Sequence, residues 1–184
     1  MRGAGWLLVA HNQLPKSADM IVIATDAEYP GALEAADLVH AGVATRVALF
    51  PSLEPWEREY ARRGVAFQNV ELLTAGYLAK LGVTNVERVP QPVVGSESEG
   101  VVLPAWFEQR HFNSVIVITT PDHSRRLGRI LRRSMNGHGT RVTVLSTPYS
   151  SFDPDRWWQT RAGTRTEIEE FEKLLLDVIR HPLS

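Results

Sequence analysis

Short, unbroken apolar runs alternate along this chain with longer stretches in which apolar residues recur every three or four positions. Residues 20–24 (Met-Ile-Val-Ile-Ala) are continuously apolar and end on Thr25 and Asp26, which predicts a strand buried on both faces. Residues 31–40 carry Ala, Leu and Val at helical spacing, with Gly42 as the stop. Residues 46–50 predict a second strand, halted by Pro51. The pattern then gives helices over 56–63 and 70–81, ended by Gly64 and Gly82, and a weak third strand over 86–89. Residues 97–109 are helical in pattern, although Pro104 predicts a kink or a later start. The clearest strand is 115–119, followed by a helix over 124–135, a strand over 141–145 and a terminal helix over 166–179.

Strands alternating with helices imply βαβ units. The expected fold is α/β: one domain over residues 1–184, a three-layer Rossmann-like sandwich with a mostly parallel sheet of about five strands. In such sheets ligands bind outside the carboxyl ends of the strands, beside helix N-termini. Those ends carry Thr25-Asp26, Pro51-Ser52, residues 94–99, 119–123 and 146–149. Trp157 or Trp158, with the apolar positions of 170–179, is expected to cover the sheet.

Composition narrows the chemistry. Twenty basic and 21 acidic side chains leave the chain near neutrality, without the basic excess of a nucleic-acid binder. The chain has no cysteine, which removes disulfides, thiolate nucleophiles and cysteine-ligated zinc while leaving the compartment open. Its histidines show no ligand pair at helical spacing, so no metal is expected. The first apolar run, residues 6–10, is far below the roughly 20 residues of a membrane span, and no signal-peptide pattern precedes it. An upstream segment in a longer protein stays open. Neither Gly-x-Gly-x-x-Gly nor a Walker A sequence occurs.

The richest segment is Thr119-Thr120-Pro121-Asp122-His123-Ser124-Arg125-Arg126, which follows the best strand and opens a helix. Free N–H groups and the positive dipole end then face the cleft, and His123 and Arg126 share a helix face. An imidazole beside a guanidinium suits binding and protonating an anion. Alternatively, Asp122 or Thr120 caps the helix and His123 packs locally. Ser96 and Glu99 have capping-box spacing, the favoured reading on pattern alone. Glu99 would otherwise sit at a strand end, pairing with Arg126 or acting as a base. Ser98 fails the nucleophile-elbow pattern because Ser96 occupies the first glycine position. Asp26 and Glu28 suit contacts to ribose, an amine or a metal, or an exposed turn. Arg125, Arg129, Arg132 and Arg133 read as the solvated face of an amphipathic helix.

Taken in order, four stretches resemble the YdcF/SanA/ElyC-like family. Ala18-Asp19-Met20-Ile21-Val22 is similar to its opening Ala-Asp-apolar strand, and residues 35–45 to its "A-x-L-x-x-x-G-x-A" helix and turn. Residues 96–100 stand where members have "T-x-E-E/N-A", so Glu99 is the matching acid. The segment around His123 and Arg126 resembles "V-T-S-x-Y-H-x-x-R", and Trp157-Trp158 with Glu170-Phe171-Glu172-Lys173 resembles the closing "W-W…E-x-x-K". The chain departs from the pattern after the first strand: Thr25-Asp26-Ala27-Glu28-Tyr29-Pro30 replaces a Gly-Gly turn and a following Arg. Asp122 also replaces an aromatic.

The resemblance implies a bacterial protein of the cell envelope if an upstream anchor exists, and a cytoplasmic one otherwise. The resulting expectation is an enzyme, a hydrolase or transferase, acting on a phosphorylated or other anionic substrate. His123 is its acid/base with Glu99 as partner; Arg126, Asp26, Ser96, Thr120 and Asp122 bind ligand. These residues are expected to line one concavity. The alternative is a non-catalytic module for a nucleotide-like ligand, with S-adenosylmethionine as the candidate cofactor. A third reading is a structural partner protein that has lost the site.

Overall fold

The computed structural model describes residues 2–52 and 55–182. Strands β1 (Met20–Ile23), β2 (Val47–Leu49), β3 (Val86–Arg88), β4 (Ser114–Thr119) and β5 (Arg141–Ser146) form one all-parallel sheet in the order β3-β2-β1-β4-β5. Helices α1 (Arg2–Gly5), α2 (Glu28–His40), α3 (Pro55–Arg62), α4 (Val70–Lys80), α5 (Gly95–Gln109), α6 (Pro121–Ser134) and α7 (Arg161–Arg180) complete the order. Among the described residues no helix is long and apolar enough to cross a membrane.

The unbroken apolar runs follow from burial on both faces. Successive side chains of a strand point to opposite sides. Met20, Val22, Val115 and Val117 pack on one side with Leu103 and Phe107 of α5 and Leu127 and Leu131 of α6. Ile21, Ile23, Ile116 and Ile118 pack on the other with Ala32, Ala35 and Ala36 of α2 and Leu78 of α4. Each such buried side chain stabilises the fold by about 1.5–3 kcal/mol. Edge strand β3 is only partly buried, and its Glu87 is bound by Arg46 and by Arg110. Those charges blunt an otherwise open sheet edge.

Helix starts move relative to the apolar pattern for local reasons. Helix α6 begins at Pro121, whose fixed φ and missing N–H suit a first helical position. Helix α5 opens at Gly95, which takes φ +74°, and runs through a buried Pro104 to Gln109. Helix α7 opens at Arg161 because the Thr160 side chain accepts the Gly163 N–H at 2.9 Å. The arginines of α6 are not simply solvated. Arg129 and Arg133 pair with Asp177 of α7 at 2.6 and 2.9 Å, and the Arg125 guanidinium donates to the Val9 carbonyl at 3.2 Å.

The terminal helix departs from expectation. Only Leu174 among its large apolar side chains is buried, packed with Leu8, Phe152 and the half-buried Trp157. Its remaining apolar positions face outward, so α7 covers α6 through ion pairs and leaves the sheet to α6 itself.

Candidate functional site

In this strand order the chain runs from β1 outward to β3, then returns to place β4 beside β1. The helices after β1 and β4 leave from a shared edge, and the crevice of such a sheet lies there. At the end of β1, the Asp26 side chain crosses this gap. Its Oδ2 accepts from the Thr119 hydroxyl at 2.7 Å, the Thr120 N–H at 2.8 Å and the Thr120 hydroxyl at 2.6 Å. A carboxylate therefore already occupies the N-terminal approach to α6, where the dipole favours negative charge. Thr120 stands at the N-cap without a side-chain capping bond, because its hydroxyl donates to Asp26.

Glu99 enters from the opposite side of the crevice. Because α5 starts at Gly95, Ser96 lies inside its first turn, buried, and the expected capping box does not form. Glu99 instead turns inward and is fully buried. Its Oε1 accepts the Thr25 N–H at 2.9 Å and the Thr25 hydroxyl at 2.7 Å, while Oε2 is buried without a hydrogen-bond partner. Burial pushes this carboxyl above the usual glutamate range, the Thr25 donors pull it part-way back, and the Asp26 charge adds to the rise.

His123 is flanked by acids. Its Nδ1 lies 3.3 Å from Asp122 Oδ2 and its Nε2 lies 3.5 Å from Glu170 Oε2. Burial favours the neutral ring, but Asp122, Asp26 and Glu170 together outweigh it and hold the imidazole above its ordinary value. Arg126 does not reach Glu99; its guanidinium binds Glu170 at 3.2 Å, and Lys173 binds the other Glu170 oxygen at 2.5 Å. Glu167, also on α7, is buried with Oε2 unpartnered, and burial and Asp122 raise its pKa.

The structure thus gathers Asp26, Thr120, Glu99, Asp122 and His123 about the β1–β4 edge, with Arg126 drawn toward α7. They stand outside a neighbouring cavity. That is a cleft of about 910 Å³ beside the ends of β1 and β2, bounded by Thr25, Phe50, Ser52, Trp56, Glu57 and Glu71. In it the Ser52 hydroxyl donates to Glu57 at 2.6 Å, and Arg88 holds Glu71 at 2.5 Å. Arg126 borders a separate hollow of about 380 Å³ with Lys173 and Asp177. Glu57, Glu71, Glu167 and the partner role of Glu170 escape a sequence reading. Only the three-residue spacing of Glu170 and Lys173 hints at one of them. Among the described residues no group of three or more His, Asp or Glu is placed to hold a metal ion.

Fold and site define a Rossmann-like α/β domain with a cluster of coupled titratable groups at the sheet's switch point. No family model matches the chain, and no curated protein matches it. Three solved chains match in structure. One is guanylylpyridinol- and ATP-bound HcgE from Methanothermobacter marburgensis, 9% identical, with a TM-score of 0.38, covering 86% of this chain and 78% of that one. So distant a likeness bears on neither ligand nor reaction, and the α/β assignment stands on the sheet itself.

Proposed function

We propose that the chain is an enzyme, a hydrolase or transferase, acting on a phosphorylated or other anionic small molecule at the C-terminal edge of its sheet. The observation that carries this reading is Glu99. A fully buried carboxyl with one oxygen fixed by Thr25 and the other unpartnered has no evident structural purpose. Burial raises its pKa, and an imidazole raised by its acidic neighbours stands in the same cluster, the kind of perturbation that marks functional sites. In this scheme the imidazolium of His123 gives a proton to the leaving oxygen, and the buried Glu99 acts as its electrostatic partner without touching the substrate. An anion entering beside His123 exchanges the Arg126–Glu170 contact for its own contact to the guanidinium. Membership of the YdcF/SanA/ElyC-like family, and the envelope setting that goes with it, are part of the proposal. They rest on the sequence stretches that contain Glu99, His123 and Arg126.

A second reading is a non-catalytic nucleotide or S-adenosylmethionine-like binding module. The cleft of about 910 Å³ favours it: apolar walls with a few carboxylates suit a nucleoside body. Native mass spectrometry against phosphomonoesters, nucleotides and S-adenosylmethionine, followed by turnover assays on the hits, separates the two. His123→Gln is expected to slow turnover by on the order of a hundredfold with affinity nearly unchanged. Arg126→Ala is expected to weaken binding by roughly ten- to a hundredfold. A ligand that binds but is never turned over favours the module, and equal turnover by wild type and His123→Gln ends the catalytic assignment.

A further inference from the structure

Helix α7 is built inside out. Its buried positions are Glu167, Glu170, Leu174 and Asp177, and two of them bind α6: Glu170 meets His123 and Arg126, and Asp177 meets Arg129 and Arg133. Its exposed positions include Ile168 at 60%, Phe171 at 44%, Leu175 at 48%, Val178 at 39% and Ile179 at 66%. A surface helix of a monomer normally shows the reverse arrangement. Single exposed apolar residues need no explanation, but these form one stripe. Ile168, Phe171, Leu175 and Val178 follow the alternating three-and-four spacing of a coiled-coil seam, and Ile179 widens it.

We propose that this stripe is the interface of a two-fold pair, with α7 of a second copy of this chain as its occupant. The area fits. At these exposures the five residues offer roughly 500 Å² per copy, within the range of a functional patch on a monomer, and a pair would bury roughly 1,000 Å², the threshold for a specific interface. A seam with coiled-coil spacing is complementary to itself, as an isologous contact requires. The flanks carry both signs, with Arg165 paired to Glu169 at 2.6 Å and with Glu172 and Arg180 exposed. That is the rim of a protein interface and not the polybasic face that anionic lipid attracts. Pairing leaves the inward face of α7 on α6, so the second copy would brace the helix that presents Glu170 to His123 and Arg126.

Sedimentation velocity on the full chain at tens of micromolar is expected to give twice the 20.6 kDa chain mass. The Phe171→Asp/Leu175→Asp double variant is expected to sediment as a monomer with unchanged circular dichroism. Because the chain has no cysteine, a second measurement does not depend on that variant folding. Leu175→Cys is expected to give covalent dimers with a short bis-maleimide, whereas Val101→Cys, exposed on α5, gives none. A monomeric wild type, a folded double variant that still dimerises, or equal linking of both cysteines overturns the proposal. So does a monomer that pellets with phosphatidylglycerol/phosphatidylethanolamine vesicles.

Discussion

The Asp26 carboxylate at the end of β1 accepts the backbone N–H of Thr120 at the end of β4, 2.8 Å away and 94 residues along the chain. With the two threonine hydroxyls on the same oxygen, this contact ties the adjacent strand ends together and fixes where α6 begins. Asp26→Ala leaves those donors without their acceptor and is expected to cost about 1.5–3 kcal/mol, read by urea denaturation. Asp26→Asn keeps one acceptor oxygen and is expected to lose less. An Asp26→Ala variant as stable as wild type would show that the strand ends are held by packing alone.

Glu99→Gln separates stability from chemistry. The buried carboxyl has a raised pKa, so the folded state holds its proton more tightly than the unfolded chain does. That contribution is fully present below the unfolded value near 4.5 and is lost as pH rises through the folded one. Glutamine keeps an oxygen for Thr25 and has no charge to desolvate. The variant is expected to melt a few degrees higher than wild type at pH about 8, for a gain of about 1 kcal/mol, while losing activity. A lower melting point at that pH would show that the carboxylate form is the one the fold prefers.

His123 predicts a second pH dependence. Its folded-state pKa lies above 6.5 because its acidic neighbours outweigh its burial. The stabilisation is therefore complete below the unfolded value and fades as pH rises through the folded one. Thermal midpoints of wild type are expected to fall across that window, and His123→Gln to flatten the fall. Nuclear magnetic resonance titration of the ring protons checks the direction, and a value below 6.5 would contradict the geometry.

Gly31 sets the distance between α2 and β1. A Cβ there would stand 2.7 Å from Ile23 Cγ2 and 2.8 Å from the Ala27 Cβ, neither of which can move freely. Gly31→Ala is expected to destabilise by about 1–3 kcal/mol through overpacking, despite the better helix propensity of alanine. Denaturant midpoints check it, and a stabilised variant would mean that the helix shifts without penalty.

Much of the fold was legible because burial on both faces leaves an unambiguous mark. The runs at β1 and β4 are apolar throughout, the helices between them are periodic, and the alternation alone requires a parallel sheet. The same reading put Asp26 and His123 just after the first and fourth strands, where the chain carries them, whereas Glu99, favoured as part of a cap, lies inside α5 and reaches the end of β1 through Thr25. It could not supply their partners. Thr25 binds Glu99 across 74 positions and Arg126 binds Glu170 across 44. No local pattern encodes a hydrogen bond between strands whose order in the sheet is still undecided.

The terminal helix shows the limit most clearly. By sequence, its Ile, Phe and Leu positions belong to a core, and the arginines of α6 to solvent. Apolar periodicity reports that a helix has two unlike faces, but which face turns inward depends on what stands opposite. Opposite α7 stand Arg126, Arg129 and Arg133, and only a carboxylate-bearing face satisfies them. The sequence by itself determined strands, helices and the polar strand ends. The tertiary structure decided the sheet order, the partners of each charge and the direction in which α7 faces, because all three depend on contacts between residues far apart in the chain.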